Sequence, residues 1–170
     1  SPDPPGCCIP LLDAAKEVAK PADNHLQSPG ADFVDMSVLG LFGNPAGSTG
    51  VMLIDGGDTK VMTIFIGRCN AFALIAVLSE LESTEPLVHP LLDSVITTVG
   101  GEVEHIRVVE VRNNTYIGEI GISRNEVMVL SDARPSDAMV LALLTDVPIQ
   151  VAQTVLDVFG EDADLYRDLI

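Results

Sequence analysis

From Asp32 the chain runs in short apolar, β-branched segments. DFVDMSVLGLF, GVMLID and KVMTIFIG follow one another, separated by NPAGSTG and the tight GGDT. This pattern predicts three strands joined by turns. GRCNAFALIAVLSELES is then apolar nearly all round at helical length, which predicts a buried helix. HPLLDSVITTVG predicts a second helix stopped by Gly100 and Gly101, and HIRVVEVR, TYIGEIGI and EVMVLS predict three more strands. A helix over RPSDAMVLALL comes next, and VPIQVAQTVLDVF gives a short strand and a last helix.

The two halves share a register. Lys60–Leu78 laid over Glu126–Leu144 without a gap matches Val61 to Val127, Met62 to Met128, Arg68 to Arg134, Ala76 to Ala142 and Leu78 to Leu144, and upstream Thr49 matches Thr115. The match runs through strand, corner, arginine and helix in one frame. The expected fold class is therefore α+β in a single domain. A duplicated β-β-β-α unit would form two mixed or antiparallel sheets, related by a pseudo-two-fold and with helices packed on them. On this reading residues 1–31, rich in Pro, Asp and Ala and with LLDAAKEVAK as one short helical stretch, form an irregular N-terminal extension. Residues 32–158 form the domain, and 159–170 an acidic, solvated C-terminal tail.

Composition narrows the class. With 170 residues, 47% of them hydrophobic, and a mean hydropathy of +0.35, the chain can bury a core without staples. Nine Lys and Arg stand against 25 Asp and Glu, a formal charge of -16 that disfavours DNA or RNA as a partner at long range. A nucleic-acid role then needs a local basic site or a bound cation. Cys7, Cys8 and Cys69 show neither zinc spacing nor a disulfide framework, so a reducing, cytoplasmic setting is the default. The start SPDPPGCCIP has no basic or apolar signal region, and a processed organellar precursor stays open. Arg68, Glu80 and Asp146 interrupt the longest apolar runs, so no membrane span is expected.

The chemistry concentrates at the start of RPSDAMVLALL. Pro135 suits the first helical position and leaves Arg134 extended before it, and Asp137 falls in the first turn, where a carboxylate favours the helix dipole. Ser136 and Asp137 fit a helix start without any ligand. Arg134 fits it less well, because a cation gains nothing there, whereas a guanidinium beside free N–H groups makes a phosphate pocket. Its bland alternative is an ion pair with Asp132 or Asp137. Arg68 occupies the equivalent corner, ahead of Cys69 and Asn70. His89 opens its helix four residues before Asp93, on one face with it, a spacing that can bind a metal or move a proton. His105, in a strand, and His25 have no nearby partners in sequence, and Glu102, Glu104, Glu110 and Glu119 read as strand residues facing water.

RPSDAMVLALLTDVPIQV, with IFIGRCNAFALI and PLVHPLLDSVI upstream, resembles the bifunctional nuclease family over Asp32 to Asp157. The resemblance implies a compact α+β domain, usually self-associating, with DNase and RNase activity for some members. Arg134, Pro135, Ser136, Asp137 and Ala138 fit the family's motif, and His89 fits the histidine of its Pro-Leu-Thr-His-Asp segment. The chain departs from the pattern at Pro90, where the family usually has aspartate, at Val88 in place of threonine, at Glu85 in place of arginine, and at Asn70, where the first corner often carries glutamate.

Two readings follow. In the first, the chain is a metal-dependent nuclease cutting DNA and RNA. Arg134, Ser136 and Arg68 bind phosphate, Asp137 holds Mg²⁺ or Mn²⁺ or acts as base, His89 assists proton transfer, and no organic cofactor is needed. In the second, the lost acidic positions leave a non-catalytic anion-binding or regulatory module that works as a homo-oligomer. Whether the chain is an enzyme therefore depends on whether Arg134, Asp137 and His89 converge.

Overall fold

The computed structural model describes residues 32–43, 48–80 and 87–167. The expected N-terminal extension with its LLDAAKEVAK helix, His25, Glu85 and most of the NPAGSTG turn lie outside the described residues. Strands β1 (Phe33–Gly43), β2 (Thr49–Asp55) and β3 (Lys60–Ile66) lead into α1 (Arg68–Leu78). Helix α2 (Val88–Thr98) precedes β4 (Glu102–Arg112), β5 (Thr115–Arg124) and β6 (Val127–Ala133), which lead into α3 (Pro135–Thr145). The chain continues through β7 (Ile149–Ala152), α4 (Gln153–Phe159), the short β8 (Glu161–Asp162) and a 3-10 turn at Ala163–Tyr166.

The fold is α+β, with one eight-stranded mixed sheet in the order β6-β5-β4-β7-β1-β2-β3-β8. The strand-strand-strand-helix order occurs twice, and the two antiparallel meanders lie on either side of β7. They do not form two sheets as expected. Ile149–Ala152 pairs antiparallel with β1 and parallel with β4, and this short strand joins the meanders into one. Asp55 holds the β2–β3 turn, its carboxylate accepting from the Thr59 hydroxyl and from the backbone N–H groups of Thr59 and Lys60, each at 2.7 Å.

Helix α3 is the centre of the core. Ala138, Met139, Val140, Leu141 and Ala142 are all buried, as an apolar surface all round the helix requires. The same pattern in α1 has a different outcome. Ala71, Leu74 and Ala76 are buried, but Phe72, Ile75 and Leu78 are exposed, because α1 packs on α3 by one side and leaves these residues on the other. Helix α2 buries Ile96 and exposes Val88, Leu91, Leu92 and Val95, and Val99 just after it is exposed too. The expected solvated tail is partly folded in. Glu161 and Asp162 pair with β3, and Ala163 is buried against Met52, Ile54 and Val61 on the second face of the sheet.

Two glycines allow close approach. A Cβ at Gly118 would meet the Ala133 carbonyl oxygen at 2.8 Å and the Pro135 nitrogen at 3.1 Å, so a bare glycine lets β5 run against the corner that launches α3. Gly121 lies opposite His105 in the β4–β5 ladder, and its Cβ would fall 2.3 Å from the imidazole. Among the described residues no helix is long and apolar enough to cross a membrane.

Candidate active site

Helices α1 and α3 begin side by side. Neither start has a side-chain cap, and each follows an extended residue, Gly67 or Arg134. Pro135 occupies the first turn of α3, and the Arg134 carbonyl accepts from the N–H groups of Asp137 and Ala138. Asp137 is therefore not a cap: its side chain is turned to other partners.

Both oxygens of Asp137 are engaged. Oδ2 accepts from Arg134 Nε at 2.6 Å, while Oδ1 accepts from Asn70 Nδ2 at 3.1 Å and lies 3.3 Å from His89 Nε2. Asn70 Nδ2 also donates to the Ser136 hydroxyl. The starts of three helices thus supply one hydrogen-bonded cluster of Arg134, Asp137, His89, Asn70 and Ser136. The side chain of Arg134 is 74% exposed and that of His89 only 12%. Among the described residues the Nη groups of Arg134 and the Nδ1 of His89 have no hydrogen-bond partner.

The predicted residues separate cleanly. Arg134, Ser136, Asp137 and His89 come together. Arg68 stands at the first residue of α1 and lines the same cleft as Arg134 and Ser136. The His89–Asp93 spacing is not the pairing the fold makes, since the partner of His89 is Asp137 from α3. Asn70, which the sequence marked only as a departure, is hydrogen-bonded into the cluster. The signal for it was present, because Asn70 falls on Ser136 in the ungapped register of the two halves. Cys69 is disulfide-bonded, although the cysteine spacing shows no disulfide framework.

The donor set does not fit a divalent cation. Among the described residues no three His, Cys, Asp or Glu side chains gather around one point. The cluster offers a single carboxylate, and three donors already occupy it. Divalent ions of this kind prefer several oxygen ligands.

Beside the cluster lies a cleft of about 730 Å³ between the β3–α1 corner, the β4–β5 hairpin and the start of α3. Its lining includes Arg68, Arg134, Asn70 and Ser136 and, among the described residues, no Asp or Glu. In a chain with 25 acidic side chains against nine basic ones, this is a local inversion of charge.

Two residues expected to face water or to stand apart have structural roles instead. Glu119 is partly buried with Arg107 3.9 Å away, and burial pushes its carboxyl above the usual range. His105 is buried and its Nε2 has no partner; burial holds its imidazole below the usual range, with Arg107 acting in the same direction and Glu104 opposing.

Comparison with known proteins places the chain in a family. The bifunctional nuclease domain model matches residues 51–164. An uncharacterized protein of Mycobacterium tuberculosis is 29% identical over 106 residues, covering 62% of this chain and 63% of its own. Bifunctional nuclease 2 of Arabidopsis thaliana is 26% identical over 104 residues and that of Oryza sativa 25%, each covering 59% of this chain and 32% of its own length. The chain thus spans under two thirds of the mycobacterial relative and about a third of the plant ones. With two thirds of its length inside the matched domain, the chain belongs to the bifunctional nuclease domain family.

Proposed function

We propose that the cluster at the start of α3 hydrolyses phosphodiester bonds in nucleic acid. The observation that carries this reading is the convergence of Arg134, Asp137 and His89 beside a cleft whose lining is basic in an otherwise acidic chain. Arg134 spends Nε on Asp137 and keeps its two Nη groups for phosphate oxygens, where a guanidinium binds well and offsets charge in the transition state. Asp137 takes the Nε2–H of His89, which orients the ring and leaves the lone pair on Nδ1. Nδ1 accepts the proton of the attacking water as its oxygen bonds to phosphorus. The same proton then passes to the leaving oxygen as the P–O bond breaks. Asn70 holds both Asp137 and Ser136, so it positions the cluster.

The test is cleavage of single-stranded RNA and DNA oligonucleotides by the purified protein and by Asp137→Asn, in EDTA and in Mg²⁺ or Mn²⁺. Cleavage by the wild type that Asp137→Asn lacks supports the reading, and equal residual cleavage by the two proteins overturns it. The EDTA arm decides whether a metal takes part.

A second reading rests on the saturation of Asp137. A carboxylate already holding three donors suits a site that binds anions without hydrolysing them, in a module working as a homo-oligomer. The exposed aliphatic face of α2 favours self-association. Binding of an oligonucleotide without cleavage would select this reading.

A further inference from the structure

The chain has only seven aromatic residues, five Phe and two Tyr, and three of them line the cleft: Phe65 from β3, Tyr116 from β5 and Phe159 from the end of α4. Burial does not explain Phe65, which is 59% exposed. Its ring is held edge-on by Phe42, with centroids 6.0 Å apart and planes at 78°. Phe42 in turn lies over Gly50, where a Cβ would fall 2.5 Å from its ring. Tyr116 and Phe159 make a second edge-on pair, 5.5 Å apart at 69°. Each pair is braced by a neighbouring ring, and each borders the cleft that contains Arg134. An exposed Phe65 ring and a half-buried Tyr116 ring beside a guanidinium suit an unpaired base next to its phosphate, because every base has a face to stack and a duplex keeps those faces covered.

We infer that this cleft takes single-stranded nucleic acid, with Phe65 and Tyr116 as stacking platforms for bases flanking the phosphate held at Arg134. The inference rests on the reading of the Arg134 cluster as a phosphodiester site and adds the substrate class. It also accounts for nucleic-acid binding by a chain of charge -16, since stacking adds affinity that does not depend on net charge.

The test is fluorescence anisotropy of a labelled 12-nucleotide single strand and of the same sequence as a duplex, with wild type, Phe65→Leu and Phe65→Tyr, in EDTA. The strand is expected to bind wild type at least about tenfold more tightly than the duplex. Phe65→Leu should lose about tenfold in strand affinity, and Phe65→Tyr, which keeps a ring, should keep it. Because Phe65 is largely exposed, the leucine variant is expected to fold, and its circular dichroism and Tm verify this. Equal affinity of wild type and Phe65→Leu, or a preference for duplex, overturns the platform. Hydrolysis of bis(p-nitrophenyl) phosphate by wild type is measured separately and reports the proposed activity without a strand. Strand binding without that hydrolysis therefore refutes the nuclease reading and leaves the platform standing, and the converse result refutes the platform alone.

Discussion

Asn70 and Ser136 are 66 residues apart, occupy the same position in two strand-corner-helix units, and share a hydrogen bond from the amide of one to the hydroxyl of the other. The bond ties the starts of α1 and α3 together at the place where Asn70 also reaches Asp137. Asn70→Ala should cost about 1 kcal/mol for the partly buried bonds it removes. Urea denaturation measures this, and an unchanged midpoint would show that the bonds do not hold the two helices.

Asn70→Asp has a more specific outcome. It would put a second carboxylate about where Nδ2 now lies, 3.1 Å from Asp137 Oδ1, replacing a donor with a like charge. The variant should lose stability in EDTA and recover it with Mn²⁺, because a pair of carboxylates supplies the oxygen ligands that the wild-type cluster lacks. Thermal shift with and without Mn²⁺ reads the difference, and an equal Mn²⁺ shift in wild type would contradict it.

Gly121→Ala should destabilise by about 1–3 kcal/mol, since the new Cβ would fall 2.3 Å from His105 Cε1 across a strand pair that cannot separate. Adding His105→Ala removes the obstruction. The double variant should therefore cost less than the sum of the two single ones, and strict additivity would show that the clash is not the cause.

His105 also gives a pH dependence. Its folded value lies below the ordinary 6.5, so its contribution is fully present above pH 6.5 and is lost as pH falls from there through the folded value, where the unfolded chain binds the proton first. Glu119 acts with the opposite sign and lower on the scale. Its raised carboxyl contributes below the ordinary 4.5, and this is lost as pH rises through the folded value. Tm measured from pH 8 downward should fall below pH 6.5 in wild type and fall less in His105→Gln. Parallel curves would remove His105 as the source.

Much of this was legible in the sequence, for identifiable reasons. The strands and helices follow from apolar period and turn residues. The Arg134–Asp137 start of α3 could be read because Pro135 fixes where a helix begins. Three things were not legible. The union of the meanders into one sheet depends on the four-residue β7, which was legible as a short strand but whose pairing with both β1 and β4 is a tertiary contact. The exposure of Phe72 and Ile75 on α1 depends on which side α3 covers. The choice of Asp137 over Asp93 as the partner of His89 is a tertiary contact across 48 residues that local spacing does not encode.

The proposed activity requires His89 to work with Asp137 at a bound phosphate. The most direct measurement is kcat/KM for cleavage of a labelled single-stranded oligonucleotide by wild type and His89→Gln, purified in parallel, with Tm recorded for both. The value for the variant is expected to fall by about 100-fold or more, with Tm changed by no more than about 4 °C. Equal cleavage by the two proteins would contradict that requirement.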